Sequence, residues 1–222
     1  MIPNYLHDRY FQVGSLLSCN RALMDSRSGI FDLEQQISEE RLLLWKWKVQ
    51  WVGICSLLRA SVHLMSQDAK ACHNKMVCEG LRNEWAAIKA ETHNHQIYWE
   101  FINSERNSIL KEYHWTAYEA FFDEAGEEVD SASLSVLSLH LRGKKSQLRI
   151  NGGLYRGRNA IEVLHEASEW VEQRIQSAVA YAGFVLDDRV HYLTWTRSPS
   201  QLSLGPTILG MENPSTNAGE GT

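Results

Sequence analysis

Tyr98, Ile102, Ile109 and Tyr113 recur at helical spacing, and two charged residues fall inside the face they share. At 100° per residue, Glu105 lies about 60° to one side of Ile102 and Arg106 about 40° to the other. Charges are almost never fully buried without partners. The apolar run 42–65 offers a partner. There Arg59 continues a stripe begun by Trp45 and Val52, and His63 follows one turn later. We therefore expect a buried polar cluster of Arg59, His63, Glu105 and Arg106. In it Glu105 pairs with Arg59 across a helix interface and fixes register. The other readings are a polar functional pocket built from these residues, or exposed helix edges.

A second group sorts its charges along the chain. Residues 119–130 hold six acids (Glu119, Asp123, Glu124, Glu127, Glu128, Asp130) and no Lys or Arg. Residues 131–161 hold no acid and six bases: Arg142, Lys144, Lys145, Arg149, Arg156 and Arg158. A basic hairpin here could follow a phosphate backbone, so Arg142, Lys144, Lys145, Arg149 and Arg156 are candidate nucleic-acid contacts. The competing reading folds the acidic loop back onto the bases.

Arg158-Asn159 is followed, after five further residues, by His165. This resembles the Arg-polar-x-His motif of HEPN domains, helical bundles that include metal-independent ribonucleases of toxin and phage-defence systems. The resemblance implies His165 as general acid/base and Arg158 as the stabiliser of phosphate charge, in a site composed by two protomers. Arg158, Glu162, His165 and Glu169 also share one helix face, which fits a solvated face with i,i+4 pairing. Separately, LLRASVHL (57–64) with IYWEFINSERNSILKEY (97–113) is similar to an uncharacterised family of bacterial helical proteins. That implies a prokaryotic or mobile-element origin without an activity.

The elements that must hold these residues are mostly helical. Residues 5–24 fit a first helix, and Asp25-Ser-Arg-Ser-Gly29 a turn. A long helix is expected from Asp32, with Asp32 as N-cap and Gln35 three residues on. Its stripe is Leu44, Trp47, Trp51, Cys55, Leu58, Val62 and Met65. Further helices are expected over about 74–91, 96–121 and 159–182, with Thr92–His95 as a break. The last has the stripe Ile161, Leu164, Ser168, Val171, Ile175, Ala178 and Ala182. Leu137, Leu139 and Leu141, then Leu148 and Ile150, alternate around Gly143, which fits a β-hairpin. Val190–Trp195 would add a third strand. The expected fold is mainly α: a bundle of four to five helices in one domain, 1–197, with a small β-hairpin or three-stranded sheet inserted at about 134–151. A flexible tail, 198–222, follows.

Other chemistry lacks its pattern. Cys72, His73, Cys78, His93 and His95 match no zinc spacing. No phosphate-binding glycine loop or nucleophile elbow occurs. No metal or cofactor is expected. The chain has 222 residues, 44% hydrophobic and 22% charged, with a formal charge of −5, so it is not a general polyanion binder. Four scattered cysteines fit free thiols in a reducing compartment. No secretory leader or apolar run of membrane-spanning length is visible, so a cytoplasmic location is expected. The leading functional expectation is an interaction or regulatory protein that binds a protein partner or forms a homodimer. The HEPN-like ribonuclease is the alternative.

Overall fold

A computed structural model describes residues 10–39, 46–123, 125–129, 145–186 and 194–197. The stripe read along the central segment is the inward face of a helix, α3 (Lys46–Ala71). Trp47, Trp51, Cys55, Leu58, Val62 and Met65 on it are all buried; Leu44 lies outside the described residues. Around α3 pack α2 (Ser18–Glu39), α4 (Lys75–Ala90), α5 (Ser104–Glu112) and α6 (Ala160–Tyr181). The α6 stripe is buried in full, from Ile161 to Ala182. Asn159 caps α6: its side-chain oxygen accepts from the Ile161 N–H at 2.9 Å. The architecture is mainly α with small antiparallel sheets.

Three expectations at the N-terminal end are corrected. Residues 25–29 are not a turn, and Asp32 is not a cap, because α2 runs unbroken through both. The small residues serve close helix packing instead. Ser26 is fully buried and returns its hydroxyl to the Leu23 carbonyl at 2.7 Å. A Cβ on Gly29 would lie 2.9 Å from Ile54 Cγ1 of α3. Of the first helix expected over 5–24, residues 5–9 lie outside the described residues and 18–24 are helical but belong to α2; between them are a short strand, β1 (Tyr10–Gln12), and a four-residue helix, α1 (Val13–Leu16), with extended backbone at Leu17.

The expected helix 96–121 is two structures. Thr92–His95 forms a 3-10 turn. Ile97–Asn103 is π-helical and passes into α5, which stops at Tyr113 in the left-handed conformation. Thereafter the chain is β2 (Ala117–Phe122). On one edge β2 pairs with β3 (Glu128–Val129). On the other it pairs with β4 (Lys145–Ile150), with Ala117 opposite Ile150. The β4 alternation is as read, with Leu148 and Ile150 buried, but its partner is β2. The arm expected at 137–141, and the tail 198–222, lie outside the described residues. Of the strand expected at 190–195, residues 190–193 lie outside the described residues, while Thr194 and Trp195 belong to a second sheet, in which β6 (Thr194–Arg197) lies between β1 and β5 (Phe184–Leu186).

Two glycines should respond oppositely to alanine. A Cβ on Gly80 of α4 would lie 2.2 Å from the Ala178 carbonyl oxygen of α6, a backbone atom that cannot step aside. Gly80→Ala is expected to destabilise by about 1–3 kcal/mol or more. Gly53, exposed on α3, has nothing within 4 Å of its Cβ position. Gly53→Ala is expected to stabilise by about 0.5–1 kcal/mol. Denaturant midpoints of the two variants read both signs.

Candidate functional site

Glu105 is buried, at 2% exposure, but its partner is not Arg59. Its Oε1 accepts from Trp51 Nε1 at 2.7 Å and from the Thr116 N–H at 2.9 Å. Its Oε2 accepts from the Thr116 hydroxyl at 2.8 Å. Arg59 turns elsewhere: its Nε donates to Asn103 Oδ1 at 3.0 Å, and its guanidinium lies 5.5 Å from the Tyr98 ring centre. Arg106 donates to Asn107 Oδ1 at 3.1 Å, and His63 is exposed. The physical reason is the π-helical stretch. It widens the turn, so residues after it rotate away from where 100° steps would put them. Asn103 thereby meets Arg59, and Glu105 meets Trp51. The expected four-residue cluster is not formed: Glu105 is held by neutral donors, Arg59 and Arg106 each bond a different asparagine, and His63 is exposed.

Asp68 of α3 is a second buried carboxylate. Its Oδ2 accepts from the Cys19 N–H at 2.8 Å, so it caps the first turn of α2 from another helix. Burial, and then the Asp68 charge, push the Cys19 thiol well above its ordinary range. Burial first, and Glu105 second, do the same to Cys55. Both carboxylates are engaged in fastening elements, and their thiol neighbours are held protonated.

The Arg158–His165 pair is not assembled within the chain. Arg158 precedes the α6 cap, places its guanidinium 5.5 Å from the Tyr155 ring centre and pairs with Glu166 at 2.9 Å. His165 Nε2 lies 3.4 Å from Glu34 Oε2 of α2. Both side chains are largely exposed, and each faces a different glutamate. Asn159, the polar residue of the motif, is the helix cap, which accounts for its type.

Of the basic candidates, Arg142 and Lys144 lie outside the described residues. For Lys145 only the backbone is described, paired with Phe122 at the start of β4. Arg149 is half-buried: its guanidinium sits 4.6 Å from the Phe122 ring centre and 3.6 Å from Glu128 Oε2. That is the acidic segment folding back on a base. Arg156 is exposed.

Two features escaped the sequence reading. The first is an aromatic cluster under α6, where Tyr98 stacks on Trp170 at 5.8 Å and meets Trp85 and Trp99 edge-on. His95 closes it, buried against Trp170 at 5.6 Å, with Nδ1 making no hydrogen bond. Burial pushes the His95 pKa down, Arg174 adds to this, and Glu91 opposes it. Arg174 is itself 3.3 Å from Glu84, whose carboxyl burial pushes up against that cation.

The second feature is a ledge at the end of α5. Tyr113 was expected to point into the core, yet it is 77% exposed with φ 52°. Its N–H donates to the Ile109 carbonyl at 3.1 Å, and the His114 N–H donates to that of Ser108 at 3.3 Å. This is a left-handed helix stop, normally a glycine site. The Tyr113 ring meets Trp115 edge-on at 5.3 Å. Lys48 Nζ lies 5.1 Å from the Trp115 ring centre and 5.9 Å from that of Trp47. Leu110, one turn back, is exposed. Nothing in residue spacing marks a tyrosine as the left-handed residue.

A cavity of about 700 Å³ opens over the outer face of α2, where Met24 and Phe31 lie beside Arg21, Asp25 and Asp32. Its charges are mixed and converge on no single point. Among the described residues no three His, Cys, Asp or Glu side chains gather as metal ligands, and no helix is long and apolar enough to cross a membrane. Comparison with protein-family models, curated proteins and solved structures finds no match to this chain.

Glu105→Ala orphans a buried indole N–H and the Thr116 donors, at about 1–3 kcal/mol for each buried group. A loss of about 3 kcal/mol or more is expected in urea unfolding, and Arg59→Met should add to it without coupling beyond about 0.5 kcal/mol. A strong coupling would restore the Arg59 pairing. A pH prediction follows from His95, which holds its proton less tightly folded than unfolded. Its contribution is complete above the unfolded value of 6.5 and is lost as pH falls through the lowered folded value. The raised Glu84 carboxyl acts in the opposite sense, favouring the fold as pH falls. The His95 effect is therefore read as the difference between the native chain and His95→Gln: the variant's Tm should fall less between about pH 7 and pH 5.

Proposed function

We propose that this chain is a helical interaction protein of the cytoplasm, and that it engages a protein partner through the Tyr113–Trp115 ledge. One observation carries the reading: a tyrosine occupies a left-handed backbone position and is 77% exposed. Left-handed backbone costs a side-chain-bearing residue about 1–2 kcal/mol. Here no burial of the ring offsets that cost. Tyr and Trp side chains are the commonest anchors of protein interfaces, and here an exposed Tyr113 stands against a Trp115 that is itself half-buried against the core. Leu110 extends the apolar contact and Lys48 supplies a cation at its edge. Strained positions kept without a packing return concentrate at functional sites.

A ribonuclease reading draws no comparable support, because Arg158 and His165 are each engaged by a different glutamate. On the resemblance of 57–64 and 97–113 noted above, the setting proposed is a prokaryotic cell or a mobile element.

Two measurements test this. Tyr113→Gly and Tyr113→Ala both delete the ring, and the glycine variant should be the more stable by about 1 kcal/mol in denaturant unfolding. For binding, a photo-crosslinking amino acid at position 113 is expected to trap one discrete protein, which can be a second copy of this chain. The same group at the exposed Tyr181 should not trap it. Identical adducts from both positions, or a complex indifferent to Trp115→Ala in a chain of unchanged Tm, would remove the proposal.

A further inference from the structure

The turn between α3 and α4 brings two thiols together. Cys72 lies in the turn, half-buried, and Cys78 lies one turn into α4, buried. Both are free. Asn74 shapes the turn by accepting the Met76 and Val77 N–H groups, each at 3.1 Å. Arg82 of α4 donates to the Ala69 carbonyl at 3.0 Å, tying the end of α3 to α4. Within this frame Cys78 Sγ donates to the Cys72 carbonyl at 3.1 Å, which sets the two cysteines side by side across the turn.

We propose that Cys72 and Cys78 form a reversible intramolecular disulfide that latches α3 to α4, with a low-molecular-weight disulfide of the glutathione class as oxidant. Cys72, the more exposed, attacks one sulfur of that disulfide. The small S–S bond breaks, and the departing thiolate takes up the proton that Cys72 lost. Cys78 then attacks the Cys72 sulfur, and the second small thiolate leaves with the Cys78 proton. One S–S bond is consumed and one is made, and two electrons pass from the protein thiols to the small disulfide. Burial holds the Cys72 thiol above its ordinary range, so its thiolate is scarce near neutrality and the latch closes faster as pH rises. Cys19 and Cys55, buried and pushed up much further, are internal controls.

The test uses the reduced full-length chain with oxidised glutathione at about pH 7 and about pH 8, followed by acid quench and peptide mapping without reductant. Trypsin cuts at Lys75, so a bridge joins residues 71–75 to residues 76–82. Expected are that linked pair, two free thiols remaining, and closure roughly tenfold faster per pH unit. The bridged form should melt roughly 3–8 °C higher, reversibly with dithiothreitol, because the unfolded chain then carries a closed loop. In Cys78→Ser, with no resolving thiol, a glutathione adduct should accumulate on Cys72. Four thiols still free at the higher pH would overturn the proposal. So would a lasting glutathione adduct in the unsubstituted chain, a bridge that includes Cys19 or Cys55, or a bridged form that melts no higher.

Discussion

The arrangement depends on a carboxylate kept out of water with no cation beside it. Glu105 is satisfied by an indole N–H from α3, a backbone N–H and a hydroxyl, all within 2.9 Å. The Thr116 donors stand at the entrance to β2, so the carboxylate fastens the sheet to the bundle as well as α5 to α3. The Thr116 carbonyl then accepts from the Asn151 N–H at 2.8 Å, just past the end of β4. One side chain thus fixes where the chain changes from helix to sheet. A buried group of this kind adds little net stability over a well-packed apolar one, but deleting it leaves its donors stranded. Its effect is to make one arrangement much better than its neighbours. Asp68 repeats the device on the other half of α3, where the positive end of the α2 dipole favours a carboxylate at the Cys19 N–H. The central helix therefore supplies a donor to one element and an acceptor to another.

Periodicity carried the parts of the fold where burial alone decides the answer. The α6 stripe, the α3 stripe from Trp47 to Met65 and the alternation of Leu148 and Ile150 are all buried as read, because a continuous apolar face has only one place to go. What spacing could not show was anything set by a partner distant in sequence. Ser26 and Gly29 look like turn residues, yet Ser26 is small because it is fully buried and Gly29 because Ile54 presses on it. Asp32 has the chemistry of a cap, but the cap of α2 comes from Asp68, 49 residues beyond the N–H it accepts. The π-helical stretch is a third case. A wheel drawn at 100° per residue places Glu105 correctly inside, yet assigns it the wrong neighbour, since the wider π-helical turn over Ile97–Asn103 rotates less per residue.

The candidate site was less legible, for a related reason. Residue types that signal chemistry are also those that finish elements. Asn159 has the type a nuclease motif asks for and is a helix cap. Arg149 looked free for phosphate and lies over Phe122 beside Glu128. Tyr113 fits the register of an apolar stripe and stands outside it, because the helix ends at Glu112 and Tyr113 itself is the left-handed stop. That stop is a backbone event, and the commonest sequence signal for it, a glycine, is missing.

The core carboxylate and the exposed ledge belong to one construction. Residues 113–115 are the link between two fixed points. At one end the carbonyls of Ser108 and Ile109 hold the Tyr113 and His114 N–H groups. At the other, Glu105 holds Thr116 by both its amide and its hydroxyl. A three-residue link pinned at both ends has little freedom, so the exposed Tyr113 ring meets edge-on a Trp115 ring that is half-buried against the core. Aromatic anchors that are already ordered lose less entropy when a partner closes over them. The buried charge thus has a surface consequence. By fixing the residue that follows the ledge, it turns a strained helix end into a rigid presentation of two aromatic rings and a lysine.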